Sequence, residues 1–219
     1  MTENQHNDGE SKATAAQLWD ERYRGRPRVW SGQPNPQLIA EAAHLPPGTA
    51  LDLGCGEGAD AIWLASRGWT VTALDVSAVA LERAAAHAQE KGHGATIEWV
   101  RQDLATWVPA QLFDLVTAQF LHSTVMPWQQ ALQLAAAAVR TGGTLLVVGH
   151  HPDGLPPWGQ HHAPERFYTA EELAVELGIE APEWSLDVVD TRHRSAIGPD
   201  GAAAALTDAV LRATRLEAR

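Results

Sequence analysis

The stretch "LDLGCGEGAD", residues 51–60, decides the fold. Leu51 and Leu53 alternate with an acid, as in a strand, and glycines follow at 54, 56 and 58 before the apolar, helix-like "AIWLAS". A strand-to-helix turn without side chains lets a ligand approach the main chain closely. The same glycines could form only a tight turn, but the acids around them and the helix behind them favour a ligand. The stretch also satisfies the loose dinucleotide fingerprint, with Ala59 as the third small residue and Asp75 lying 21 positions after Gly54. At this level a nicotinamide dinucleotide and other nucleotide-like cofactors both remain open.

Working outward, apolar segments alternate with helical patterns. Strands are expected at 50–53, 70–75, 96–102, 113–118 and 143–149, with helices near 58–67, 78–91 and 126–139. Such alternation implies right-handed βαβ units and a parallel sheet covered on both faces, hence a doubly wound α/β fold. These sheets bind ligands beyond the carboxyl ends of their strands, at the switch point beside the first strand. The glycine stretch lies there.

Upstream, "ATAAQLWDERYRG" reads as a short helix with Leu18, Trp19, Arg22 and Tyr23 near one face, and a second helix covers 37–44. Downstream, "HHPDGLPPWGQHHAPERFY" is a loop with four histidines, and "TAEELAVELG" is a helix capped by Thr169 with Glu172 in the capping-box position. "EWSLDVVDTRHRS" reads as a long strand. The tail "LTDAVLRATRLEAR" fits a helical stripe slightly better than a strand by pattern alone.

Composition narrows the partners. The 219 residues carry 16 Lys and Arg against 27 Asp and Glu, a net charge of −11 that repels phosphate backbones and anionic lipid. Neither nucleic acid nor a membrane is an expected partner. The single cysteine, Cys55, cannot form an internal disulfide, and no CxxC or CxxH zinc spacing occurs. With a polar N-terminus and no long apolar run, a soluble cytoplasmic protein is expected. Residues 1–13 are expected to be a disordered tail. Oligomeric state is not readable.

Three features separate the cofactor readings: Asp52 two places before the first glycine, Gly58 at the fifth position of the turn, and a further acid, Asp103, after the third strand. Here the chain resembles the class I S-adenosylmethionine-dependent methyltransferases. "LDLGCGEG" resembles their first motif, "VTALDVS" the second, "VRQDLATW" the third, "FDLVTAQFLH" the fourth, and "TGGTLLVVG" their fifth-strand region. The resemblance spans about residues 15–190. "WDERYRGRPRVWSGQPNP" and "GCGEGADAIWLASRGWTVTALD" are further similar to the subgroup of tellurite-resistance and thiopurine methyltransferase-like proteins.

The resemblance implies a Rossmann-like seven-stranded sheet, mostly parallel, with an antiparallel strand seven between strands five and six. It therefore assigns 183–193 and 207–215 to strands, against the slight helical leaning of the tail. It also implies one domain over 14–219: an N-terminal lid segment (14–48), a cofactor core (49–149), an acceptor-side loop (150–168) and a C-terminal helix and hairpin (169–219).

The implied cofactor is S-adenosyl-L-methionine, and its parts need different chemistry. Asp52 or nearby main chain would meet the ammonium, with Gly54, Cys55, Gly56 and Gly58 forming the turn around it; a turn acid capping local amides is the plainer role for Asp52. Cys55 would be a small neighbour rather than a nucleophile. Asp75 would accept both ribose hydroxyls, Val76 would pack under the adenine, and Asp103 and Leu104 would read its edge, unless Asp103 is an ordinary loop acid. Gln119 and Phe120 would face the methionine and the methyl group. Trp30 would close over the donor, where an aromatic face attracts a sulfonium, or else sit in the core.

His122 and His151 are the candidate bases, each with a turn-capping or loop-lining alternative. His150, His151, His161 and His162 lack the spacing of a metal site and would line the acceptor pocket with Trp158; no metal is expected. The expected partner is a small-molecule acceptor, methylated by in-line displacement at a soft sulfur, selenium or tellurium atom or at nitrogen or oxygen. A non-catalytic donor-binding sensor is the alternative. A nicotinamide-dependent dehydrogenase is disfavoured, because no Lys/Tyr or His/Asp catalytic set is visible.

Overall fold

The computed structural model describes residues 13–123, 125–158, 164–198 and 201–217. Two N-terminal helices, α1 (Ala15–Arg24) and α2 (Pro36–Ala42), precede β1 (Thr49–Leu53), α3 (Ala59–Ser66), β2 (Thr70–Asp75), α4 (Ala78–Glu90) and β3 (Ile97–Arg101). Then come β4 (Phe113–Gln119), α5 (Trp128–Ala137), β5 (Val139–His150), α6 (Ala170–Glu176), β6 (Trp184–Ile197) and β7 (Ala203–Arg215). The expected tail lies, but for its last residue, outside the described residues.

The strands form one sheet of seven in the order β3-β2-β1-β4-β5-β7-β6. All neighbours run parallel except β7, which is antiparallel to both β5 and β6. This is the doubly wound sheet expected, including the position of strand seven. The order reverses between β1 and β4, so the glycine turn after β1 and the residues after Gln119 meet at one switch point.

Both faces of the sheet are covered. Leu51, Leu53, Val116, Leu145 and Val147 pack with Leu132, Leu173 and Tyr168 on one side. Ala50, Leu115, Leu146, Val148 and Val210 pack with Leu38, Ile62 and Leu64 on the other. Strands buried on both faces lose polar alternation, and this explains the misleading tail. From Leu206 to Leu211 every residue of β7 is buried, because the strand is sandwiched between β5 and β6.

The hairpin is also longer than expected. Ile197 pairs with Ala203 and Ala196 with Ala204, so part of the alanine run is strand rather than connection. In α1 the inward face differs from the expected stripe: Asp20 and Tyr23 are buried while Leu18 is exposed. Asp20 accounts for this by accepting hydrogen bonds from the Ser77 hydroxyl at 2.6 Å and the Val79 amide at 3.3 Å, which dock α1 on the start of α4.

The capping box of α6 forms as expected. Thr169 accepts from the Glu172 amide at 3.1 Å, and Glu172 accepts from the Thr169 amide at 2.9 Å. Thr169→Ala is expected to cost about 1 kcal/mol, read as a lower denaturant midpoint at unchanged slope.

Candidate active site

The glycine turn is pinned from β2. The amides of Gly54 and Cys55 both donate to the Leu74 carbonyl, at 2.8 and 2.9 Å. Asp75, the last residue of β2, accepts from the Gly56 amide at 2.9 Å through Oδ2 and from the Ser77 amide at 2.8 Å through Oδ1. Ser77 caps α4 by accepting from the Ala80 amide at 3.1 Å. Asp75 is thus held where the turn, β2 and α4 converge.

A bare main chain is required at Gly56, whose φ is +53°. A Cβ there would lie 3.0 Å from the Tyr23 hydroxyl and 3.1 Å from Trp30 Nε1. Trp30, largely exposed, donates from Nε1 to the Tyr23 hydroxyl at 2.9 Å and so lies over the turn. Gly58 serves a different purpose: its missing side chain faces Ala84 and Trp99, where α3 packs on α4 and β3.

Side chains missed in the sequence latch the N-terminal segment onto this turn. Buried Glu57 accepts from the amides of Val29 and Trp30, both at 3.1 Å, and from Arg83 Nη1 at 3.0 Å. Arg83 Nη2 donates to the carbonyls of Tyr23 and Arg26, at 2.8 and 2.9 Å. Asp60 accepts from the Asn35 amide at 2.6 Å, and Asn35 Nδ2 donates to Gln119 Oε1 at 2.8 Å. One chain of bonds therefore joins α3, the segment before α2 and the end of β4.

The electrostatics are strongly one-sided. Asp52 is buried, and its Oδ2 has no hydrogen-bond partner among the described residues. Burial, reinforced by the charges of Asp60 and Asp75, holds the Asp52 carboxyl well above the usual range. Burial pushes Asp60 up to about 6 and raises Asp75. Burial and the nearby carboxylates push the Cys55 thiol up as well, which suits a small neutral neighbour rather than a nucleophile. Burial likewise raises the Tyr23 hydroxyl, keeping it protonated.

This arrangement fits a zwitterionic sulfonium donor. The Asp52 carboxylate oxygen left without a partner among the described residues, with acids beside it, suits the ammonium of such a donor. A dinucleotide would place its pyrophosphate at the start of α3, where Asp52 and Asp60 would repel it.

The adenine-side residues are less committed. Val76 is half-buried, and its carbonyl accepts from Arg101 Nε at 3.4 Å. Asp103 Oδ1 accepts from the Ala105 amide at 2.9 Å, the local turn of an ordinary loop acid, while Leu104 packs against the core.

On the far side of the switch point, Phe120 has a φ of +52°, a left-handed conformation that costs a bulky side chain free energy. Its ring lies 4.5 Å from that of His150 and 5.3 Å from the guanidinium carbon of Arg194. Arg194 is held from behind by Asp208 at 2.7 Å. Sequence reading missed this pair, because nothing local marks two hairpin residues that meet across strands.

Both candidate bases are engaged by main chain. His122 Nδ1 lies 3.1 Å from the Arg166 carbonyl, and its Nε2 accepts from the His150 amide at 3.3 Å. His151 Nδ1 accepts from the Asp153 amide at 3.1 Å, capping a 3-10 turn at 152–154. Trp158 lines a cavity of about 180 Å³ against Ala202, Ala203 and Ala204 at the hairpin tip. His161 and His162 lie outside the described residues. Among the described residues no group of three or more His, Cys, Asp or Glu is placed to hold a metal, and no helix is long and apolar enough to cross a membrane.

Comparison with known proteins agrees with this fold. Residues 50–143 match the model of a methyltransferase domain. A probable thiol methyltransferase of Arabidopsis thaliana is 28% identical over 83% of this chain and 79% of its own. A solved structure concerned with conversion of a disulfide bond into a thioacetal group during echinomycin biosynthesis is 25% identical, with a TM-score of 0.68 over 93% of this chain and 92% of its own. TehB from Haemophilus influenzae, 16% identical, shares the fold with a TM-score of 0.66 over 93% of this chain and 67% of its own. With the seven-stranded sheet and an acid-lined glycine turn suited to a sulfonium, these likenesses identify the chain as a class I methyltransferase that uses S-adenosyl-L-methionine.

Proposed function

We propose that the enzyme transfers the methyl group in line to a small molecule whose attacking atom is soft: a thiolate, a thione or a reduced chalcogen oxyanion. The observation that carries this is the engagement of His122. Its Nε2 lone pair accepts from the His150 amide and its Nδ1 faces the Arg166 carbonyl, so proton abstraction would break a bond that ties the segment after β4 to the end of β5. A nucleophile that arrives without a proton needs no such base. The thiol methyltransferase among the relatives supports the same reading.

When bound, the donor supplies a methyl group already activated by positive sulfur. Around it Asp52 would receive the ammonium, Asp75 the ribose hydroxyls, and the turn at Gly54–Gly56 the methionine main chain. Tyr23 and Trp30, latched through Glu57 and Arg83, would cover the donor and keep water out. Gln119 and Phe120 would set the approach at the end of β4. The chain's contribution is positioning, which can supply several kcal/mol of barrier reduction.

The test is release of S-adenosylhomocysteine with paired acceptors: benzenethiol and thiocyanate against catechol and benzylamine. Turnover confined to the sulfur pair is expected. With benzenethiol the rate should follow ionisation of the thiol itself, with no additional step belonging to a histidine. Preferential turnover of catechol or benzylamine would overturn the soft-acceptor reading.

A further inference from the structure

We infer, resting on the reading that Gln119 sets the acceptor's approach at the end of β4, that Asn35 is a positioning residue for methyl transfer. Its side chain fixes the carboxamide of Gln119 in one orientation, with the polarity of that carboxamide dictated by the N-terminus of α2.

Asn35 stands between two prolines in "QPNPQ", residues 33–37. A residue before proline is confined to extended backbone, and Asn35 has φ −61° and ψ 126°. Pro36 opens α2, so Asn35 is its N-cap. Main chain and both ends of the side chain are engaged. The Asn35 amide donates to Asp60 Oδ1 at 2.6 Å, and the carbonyl accepts from the Ile39 amide at 3.1 Å. Oδ1 accepts from the Gln37 amide at 2.9 Å, and Nδ2 donates to Gln119 Oε1 at 2.8 Å.

The cap is anchored from behind. Glu41, buried on α2, accepts from Arg192 Nη2 at 2.6 Å and Arg212 Nη1 at 2.9 Å. Gln37 Oε1 accepts from Arg192 Nη1 at 3.1 Å. The β6–β7 hairpin thereby fixes where Asn35 stands.

The direction of these bonds is not interchangeable. A helix N-terminus offers N–H groups, so the Asn35 atom facing the Gln37 amide has to be its oxygen, which leaves Nδ2 for Gln119. Gln119 must then present Oε1 to Asn35, and its Nε2 donates to the Oγ1 of Thr117, fully buried on β4. The carboxamide is held at both ends and in one sense. Without Asn35 it is free to take other rotamers, and a misplacement of about 1 Å can cost on the order of a hundredfold in rate. The donor's expected partners Asp52 and Asp75 have no part in this chain of bonds, so donor affinity should not follow.

Asn35→Ser separates this role from capping, because serine caps a helix as well as asparagine but is too short to reach Gln119. The full chain is assayed with S-adenosylmethionine and benzenethiol, and the Gln119 side-chain amide is followed in a nitrogen–proton correlation spectrum. In Asn35→Ser kcat should fall about tenfold, while KM for benzenethiol and affinity for S-adenosylhomocysteine stay within about threefold and the melting temperature is nearly unchanged. The Gln119 amide signals should shift and exchange faster with water. In a Gln119→Leu background, itself slower than wild type, Asn35→Ser should cost nothing further, because no carboxamide is left to orient.

Equal falls in kcat in both backgrounds would overturn the positioning role, as would loss of stability and affinity with kcat retained. Unmoved Gln119 signals in Asn35→Ser would overturn it whether or not benzenethiol turns over. Wild-type kcat in Gln119→Leu would instead overturn the reading that Gln119 sets the approach.

Discussion

Asp75→Ala is expected to weaken binding of S-adenosylhomocysteine by about a hundredfold or more. Hydrogen bonds to a charged carboxylate contribute roughly 1.5–3 kcal/mol each, and two ribose hydroxyls would lose theirs together. The carboxylate also organises the empty site, because it holds the Gly56 amide at 2.9 Å and the Ser77 amide at 2.8 Å. The fold should tolerate the change better than the ligand does. Ser77 still caps α4 through its own hydroxyl, and Asp20 still holds Ser77 at 2.6 Å. Calorimetry paired with a thermal melt separates the two effects. Affinity within threefold of wild type, at a native-like melting temperature, would mean that Asp75 only pins the turn.

The parts of the site legible in the sequence are those that lie within a few residues of a strand end. Asp52, Gly54, Gly56 and Asp75 could be placed because a βαβ pattern fixes where each strand stops. Glu57 and Asp60 sit inside the same quoted stretch, yet their partners are Val29, Trp30, Arg83 and Asn35, all more than twenty residues away in sequence. No periodicity encodes such contacts. The only available signal for Asp60 was an acid in the first turn of a helix beside another acid, which reads equally well as a favourable helix-dipole position. The tail failed for the opposite reason. Its strand is so thoroughly buried that the pattern lost the alternation by which strands are recognised, and family resemblance supplied the hairpin that pattern did not. The two histidines show a third limit. Sequence offered them as candidate bases, but only the fold could show their nitrogens engaged by main chain.

Gly58→Ala is expected to destabilise the protein by about 2–5 kcal/mol while leaving donor affinity in the folded fraction nearly unchanged. Gly58 has a φ of +82°, where an alanine is strained by roughly 1–2 kcal/mol. Its new Cβ would also lie 2.8 Å from the Ala84 Cβ and 2.7 Å from Trp99 Cη2. Ala84 is fully buried on α4, so the overlap cannot be relieved by rotating a long side chain, and overpacking of this kind costs about 1–3 kcal/mol. For a domain of this size the melting temperature should fall by about 4–20 °C. Gly92→Ala is the matched control: φ there is +78°, but nothing lies within 4 Å of the added Cβ, so it reports backbone strain alone. The excess loss in Gly58→Ala over Gly92→Ala measures the contact between α3, α4 and β3. Equal losses would show that the helices yield and the close approach is not required. A large loss of affinity without loss of stability would return Gly58 to the ligand. The expected result divides two glycines of the motif by task, with Gly56 kept bare where Tyr23 and Trp30 lie over the turn and Gly58 kept bare so that the helix behind it can pack.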